Sequence, residues 1–185
     1  MAGRNFLFVP GPTNIPDRVL RAMVVSMEDH RSPKFPALTQ EIMPGLKKVF
    51  RTEHGTPFVF PSSGTGCWEA AVTNTLSPGD RVLMPETGYF SDDWSQMARD
   101  LGLEVQGVAA DWRVGCDIAA IRAALEEDKA HAIKAVCVVH NETSTGMMLP
   151  VPDIRAALDA TRHPALLLVD TISSLGSLDF RMDEW

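Results

Sequence analysis

Two periods alternate along most of this chain. Segments 66–76, 91–101, 117–127 and 152–161 place apolar residues every third or fourth position and predict helices, whereas 81–84, 104–108, 133–139 and 165–169 are short apolar runs that predict strands. The runs Val136-Cys137-Val138-Val139 and Leu166-Leu167-Leu168-Val169 are apolar on both faces, as parallel strands covered by helices must be. Regular alternation of strand and helix therefore predicts an α/β domain with a mainly parallel sheet and helices on both faces.

Ahead of that pattern the chain reads differently. Pro10, Pro12 and Pro16 forbid helix over 6–16 and predict an extended arm with a turn. Pro16 suits the first turn of a short helix running to Met23, with Asn14 as its cap. Residues 29–36 form a polar loop, and from about 36 to 50 Leu38, Ile42, Met43, Leu46, Val49 and Phe50 recur at near-helical spacing. Pro44-Gly45 is expected to kink or break that helix. The expected organisation is an arm with helices over 1–50 and an α/β domain over 51–185.

Between the two lies Phe58-Val59-Phe60-Pro61-Ser62-Ser63-Gly64-Thr65-Gly66-Cys67-Trp68-Glu69, which predicts a strand, a glycine-broken loop and a helix start. A helix start presents unpaired N–H groups and a partial positive charge, and Ser62, Ser63 and Thr65 add hydroxyl donors, so the loop can seat a phosphate without Lys or Arg. The dinucleotide fingerprint fails because Glu69 stands where its third glycine belongs, and the Gly-Lys-Ser/Thr of a Walker loop is missing. On its own residues the loop is a phosphate cradle or a tight strand-to-helix turn.

Composition narrows the partners. The chain has 185 residues, 45% hydrophobic and 22% charged, which is ordinary for a globular protein large enough to bury a core. A net charge of −7 without a basic run disfavours nucleic acid or an anionic membrane surface. Cys67, Cys116 and Cys137 are odd in number and show no CxxC spacing, so neither a disulfide framework nor a zinc site is expected. No apolar run reaches the length of a signal peptide or membrane span, and the expected compartment is the cytosol.

In open α/β sheets ligands bind beyond the carboxyl ends of the strands. There the sequence places Ser63-Gly64-Thr65-Gly66, then Glu86-Thr87-Gly88-Tyr89-Phe90, then His140-Asn141-Glu142-Thr143-Ser144, and last Asp170-Thr171-Ile172. An anion cradle, an aromatic face, hydroxyls and a carboxylate on one rim describe a site for a flat, phosphorylated, cationic ring such as pyridoxal phosphate. Asp170 would keep the ring nitrogen protonated, Phe90 would stack on one face, Ile172 would pack on the other, and Thr143 would hydrogen-bond the phenolate oxygen.

With those residues in view, the chain resembles the class V aminotransferases of fold-type I, closest to the serine–glyoxylate and alanine–glyoxylate enzymes. The likeness rests on Phe8-Val9-Pro10-Gly11-Pro12-Thr13, Ser63-Gly64-Thr65-Gly66, the stretch from Asn74 to Asp80, the stretch from Val139 to Gly146, Leu166 to Asp170, and Leu178 to Trp185. It implies the large domain of a pyridoxal-phosphate-dependent transferase, with Thr65, Gly66 and Cys67 at the cofactor phosphate, Phe90 stacking, Thr143 at the ring oxygen and Asp170 at the ring nitrogen. Gly11 and Pro12 would lie near the substrate carboxylate. It further implies small amino acid and 2-oxo acid substrates and a homodimer.

The same resemblance places the family's Schiff-base lysine beyond Trp185, and Lys34, Lys47, Lys48, Lys129 and Lys134 match no family motif. The expected domain is thus incomplete, the amino-terminal part of such an enzyme, with no catalytic lysine of its own. Two functions remain: transamination from serine or alanine to glyoxylate, and an inactive domain that keeps fold and dimer contacts. The histidines lack metal spacing, and Trp68, Trp94 and Trp112 are expected to be packing residues.

Overall fold

The structure is a computed structural model that describes residues 6–185. It divides into two compact units, Met1–Gly45 and Leu46–Trp185, with the boundary inside a helix.

In the first unit the arm forms no regular element before α1 (Asp17–Met23). Asn14 does not cap this helix: its Oδ1 accepts the N–H of Leu7 across the turn of the arm at 2.7 Å, and Pro16 occupies the N-cap. Helix α2 (Lys34–Phe50) begins two residues before the expected start and runs through Pro44 without a break. A proline removes one backbone bond and crowds the preceding turn, but here the helix continues on both sides of it.

The second unit holds the expected α/β pattern. Helix α3 (Gly64–Thr75) leads to β1 (Arg81–Glu86), α4 (Tyr89–Asp100) and β2 (Glu104–Asp111); the stub β3 (Gly115–Cys116), α5 (Ile118–Glu127) and β4 (Ile133–Val139) follow. A short hairpin, β5 (Asn141–Glu142) and β6 (Met147–Met148), then α6 (Val151–Thr161) and β7 (Leu166–Asp170) complete it. The strand order is β3-β2-β1-β4-β7, parallel except where β3 turns back on β2.

Phe58-Val59-Phe60 does not form the expected strand. It is flanked by Pro57 and Pro61, which donate no N–H, and the Ser62 N–H closes a tight turn onto the Phe60 carbonyl at 2.9 Å. Without ladder partners its side chains are exposed. The other departure concerns β7, which lies at the edge of the sheet, so that Leu166 is exposed and the middle of the strand half-buried.

Two apolar clusters explain why both faces of β1 and β4 are apolar. On one face Leu83, Val136 and Val138 meet Ile121 and Leu125 of α5 and Ile154 and Leu158 of α6. On the other Val82, Met84, Cys137 and Val139 meet Trp68 and Val72 of α3 and Trp94 and Ala98 of α4. Burying side chains of this size stabilises by roughly 1.5–3 kcal/mol each. The chain leaves β1 through α4 to β2 on one side, and β2 through α5 to β4 on the other, so the strand order reverses between the parallel neighbours β1 and β4. A crevice opens at their carboxyl ends.

Candidate cofactor site

Register places the carboxylate. β4 and β7 pair so that Val139 stands level with Asp170, and the ladder continues one step as the His140 N–H reaches the Asp170 carbonyl at 2.9 Å. Asp170 is buried, with 9% of the residue exposed. Its Oδ1 accepts the Ile172 N–H at 2.7 Å, a local turn bond, while Oδ2 accepts the indole N–H of Trp68 at 2.8 Å. One oxygen thus closes the turn after the strand, and the other ties β7 to α3.

Helix α3 brings the anion-binding end to the same place. Gly64, Trp68 and Val72 are one turn apart on one face of the helix. A side chain at Gly64 would sit 3.5 Å from Ile172 Cγ1, so Ile172 covers that glycine, and Trp68 one turn on meets Asp170. Ser63 is the N-cap, with extended backbone and no side-chain cap bond. The first-turn N–H groups of Gly64, Thr65 and Gly66 therefore remain available to an anion. Gly66 lies close under Ser62, since a Cβ there would fall 2.0 Å from Ser62 Oγ and turn that hydroxyl aside. Cys67 is exposed, but its backbone N–H already donates to the Ser63 carbonyl at 3.3 Å, so any contribution it makes comes from the thiol side chain.

The third wall is built across the switch point. Glu142, fully buried, accepts the N–H groups of Phe90 and Ser91 at 3.1 and 3.2 Å and thereby caps α4 from another loop. Its second oxygen accepts the N–H and hydroxyl of Ser144 at 3.0 and 2.7 Å, and Ser144 Oγ in turn accepts the Tyr89 N–H at 3.0 Å. Gly88 makes this possible, because a Cβ there would lie 2.5 Å from Glu142 Cγ. The half-buried ring of Phe90 stands edge-on to Trp68, with centroids 6.5 Å apart. Thr143 lies in the turn of the β5–β6 hairpin, brought to this rim by its neighbours Glu142 and Ser144.

Beside the crevice, His140 is buried and shares a hydrogen bond of 3.0 Å between Nδ1 and Ser174 Oγ, with Phe180 and Trp185 against its ring. Burial pushes its imidazole below the ordinary value of 6.5. Among the lysines of the α/β unit, Lys134 is the second residue of β4, at the opposite end of the sheet, and Lys47 Nζ bonds the Glu53 carbonyl.

Ser63, Gly64, Thr65, Gly66, Phe90, Asp170 and Ile172 thus share one rim, joined by bonds and contacts through Trp68 and Glu142. Gly11 and Pro12 are exposed in the first unit, where nothing lies within 4 Å of a Cβ at Gly11. Two residues escaped the sequence reading. Trp68 was expected only to pack, although its spacing of four from Gly64 foretold that it faces the same way. Glu142 carried no signal beyond a carboxylate after a strand.

The donor set fits the cofactor expected here: an open helix start and hydroxyls for a phosphate, a fixed carboxylate for a ring N–H, and an aromatic ring beside them. The comparisons point the same way. Residues 5–185 match the class-V aminotransferase family. The serine–glyoxylate aminotransferase of Methylorubrum extorquens is 56% identical over 99% of this chain and 46% of its own length. The L-aspartate–glyoxylate aminotransferase of Paracoccus denitrificans is 48% identical over 100% of this chain and 47% of its own. A solved alanine–glyoxylate aminotransferase from Nostoc sp. superposes with a TM-score of 0.89 at 34% identity, covering 100% of this chain and 48% of that one. The chain spans about half the length of the relatives it matches. Fold, donor set and sequence agree that the chain belongs to the class-V aminotransferases, pyridoxal-phosphate proteins of fold-type I.

Proposed function

We propose that this chain supplies the ring- and phosphate-holding part of an aminotransferase that passes an amino group to glyoxylate, with serine as donor. The observation that carries the reading is the meeting of Asp170, Phe90 and the uncapped start of α3 on one rim. Serine is favoured over alanine or aspartate by the 56% identity to a serine–glyoxylate enzyme. Residues 51–185 form the cofactor domain and 1–50 an arm with helices, in a homodimer of the cytosol. Among the described residues no helix is long and apolar enough to cross a membrane.

When bound, pyridoxal phosphate takes up the electron pair released as a bond at the substrate Cα breaks. The protein's part is placement. Asp170 accepts the ring N–H and keeps it protonated; the N–H groups of Gly64, Thr65 and Gly66, with the hydroxyls of Ser63 and Thr65, hold the phosphate, beside the Cys67 side chain. Phe90 stacks on one face of the ring, Ile172 packs on the other, and Thr143 donates to the phenolate oxygen.

A second reading is favoured by the position of the lysines. Lys134 stands at the far end of the sheet, so residues 1–185 alone bind the cofactor without turning over substrate. Equilibrium dialysis of the chain with pyridoxal phosphate is expected to show retention that falls at least about tenfold in Asp170→Ala, as loss of a charge-assisted bond implies. No retention by the unaltered chain would overturn the cofactor reading. Glycine formed from glyoxylate with serine, alanine and aspartate as competing donors reports turnover. Formation above the rate of free cofactor would overturn the inactive reading, and the preferred donor would test serine.

A further inference from the structure

The two tryptophans under the rim are alike in packing and opposite in bonding. Trp68 and Trp94 stack nearly parallel, centroids 5.4 Å apart and planes 5° apart, and both are at most 5% exposed. Trp68 Nε1 donates to Asp170 Oδ2 at 2.8 Å, whereas Trp94 Nε1 is buried with no partner. A stack needs only ring area, and a phenylalanine would supply much of it; the N–H of Trp68 has a separate task.

We propose that Trp68 is the positioning residue of the site: its indole N–H, seated on Trp94, fixes the Asp170 carboxylate that receives the cofactor's ring nitrogen. This inference rests on the cofactor reading above. Asp170 lies on the last residue of an edge strand, where a carboxylate bonded at one oxygen alone could still turn about its own axis. The Ile172 N–H holds Oδ1 and the Trp68 N–H holds Oδ2, so the plane of the carboxylate is set from both sides. Each oxygen keeps lone-pair capacity for one more donor. Both fixed donors come from rigid neighbours: Ile172 two residues on, and an indole clamped between Trp94 and the edge of Phe90. Trp68 touches neither substrate nor reacting atoms in this scheme; it acts through Asp170.

The test compares Trp68→Phe with Trp94→Phe in the full chain, each removing one indole N–H and similar ring area. Pyridoxal phosphate labelled with 15N in its ring is titrated into each protein, reading the dissociation constant, the ring-nitrogen resonance and the 31P resonance. For Trp68→Phe the dissociation constant is expected to rise about tenfold, with the nitrogen resonance moving toward the unprotonated position and the phosphorus resonance unchanged. Trp94→Phe should match the unaltered protein in all three. If Trp68→Phe keeps the ring-nitrogen signal of the unaltered protein, the inference is overturned while the cofactor reading survives. If the unaltered protein binds no cofactor, both are overturned. Should Trp68→Phe not fold, benzothienylalanine at position 68, which keeps the fused rings and lacks only the N–H, replaces it with the same expected shifts, and an unshifted nitrogen there overturns the inference.

Discussion

The two ends of the sheet are each closed by a buried carboxylate, and the comparison separates structure from function. At the amino end Asp128, the C-cap of α5, accepts the N–H groups of Ala132 and Ile133 at 3.0 and 2.6 Å, and His163 Nε2 lies 3.3 Å from it. The Ala165 N–H donates to His163 Nδ1 at 3.2 Å, so that nitrogen is unprotonated and Nε2 carries the hydrogen toward Asp128. Every polar group in that cluster is spent inside the protein. At the carboxyl end Glu142 is equally spent, yet around it the first turn of α3 has no cap, Ile172 is exposed and the buried hydroxyl of Thr87 has no partner. The end proposed to hold the cofactor is the end that leaves donors unspent.

Removing each carboxylate breaks the comparison most directly. Glu142→Ala strands the N–H groups of Phe90, Ser91 and Ser144 and is expected to cost about 3 kcal/mol or more, lowering Tm by roughly 6–12 °C. It should also weaken cofactor binding, because the Phe90 wall loosens. Asp128→Ala is expected to cost about 2–3 kcal/mol and to leave cofactor binding unchanged. Calorimetry and dialysis on both variants check the pair; a binding loss in Asp128→Ala would erase the distinction between the ends.

Acid separates the ends more gently. Burial holds the His140 imidazole below its ordinary 6.5, so the folded state prefers it neutral, and its contribution is full above that value and is lost as pH falls below it. For Asp128 burial works the other way, but the N–H bonds of Ile133 and Ala132 and the contact with His163 hold its carboxyl below the ordinary 3.8. Its contribution is present above that value and is lost as pH falls through the lower, folded one. Hydrogen exchange followed from pH 7 downward is therefore expected to loosen amides near His140 first, with those of Ala132 and Ile133 persisting to stronger acid.

The smallest effect concerns the thiols. Burial, and then the charge of Asp117, push the Cys116 thiol up to about 11, and burial pushes Cys137 up to about 12. Cys67 is the exposed one and sits beside the cradle. A thiol reagent at neutral pH is expected to label Cys67 first, and pyridoxal phosphate should slow that labelling severalfold; equal labelling of Cys137 in the folded protein would contradict the burial of β4.

Most elements were legible from their periods, because β1 and β4 are apolar on both faces and α5 opens on Asp117, whose side chain accepts the Ala119 N–H at 2.9 Å. What failed was settled by partners rather than local pattern. Phe58-Val59-Phe60 has the composition of a strand but no neighbour to pair with, and β7 reads as a buried strand but lies at an edge. The candidate site was legible as residue types at strand ends. The links that assemble it, Trp68 to Asp170 and Glu142 to the start of α4, span 102 and 51 residues and leave no periodic trace.

The position of β7 has one further consequence. On the β2 side the two-residue stub β3 folds back over the end of its neighbour, whereas among the described residues nothing pairs along the outer side of β7. That side presents a row of backbone donors and acceptors next to a recess of about 450 Å³ whose lining mixes Leu167, Val169 and Phe180 with Arg155, Asp183 and Glu184. A polypeptide that pairs with β7 in register therefore arrives beside Asp170, at the rim that carries the candidate site.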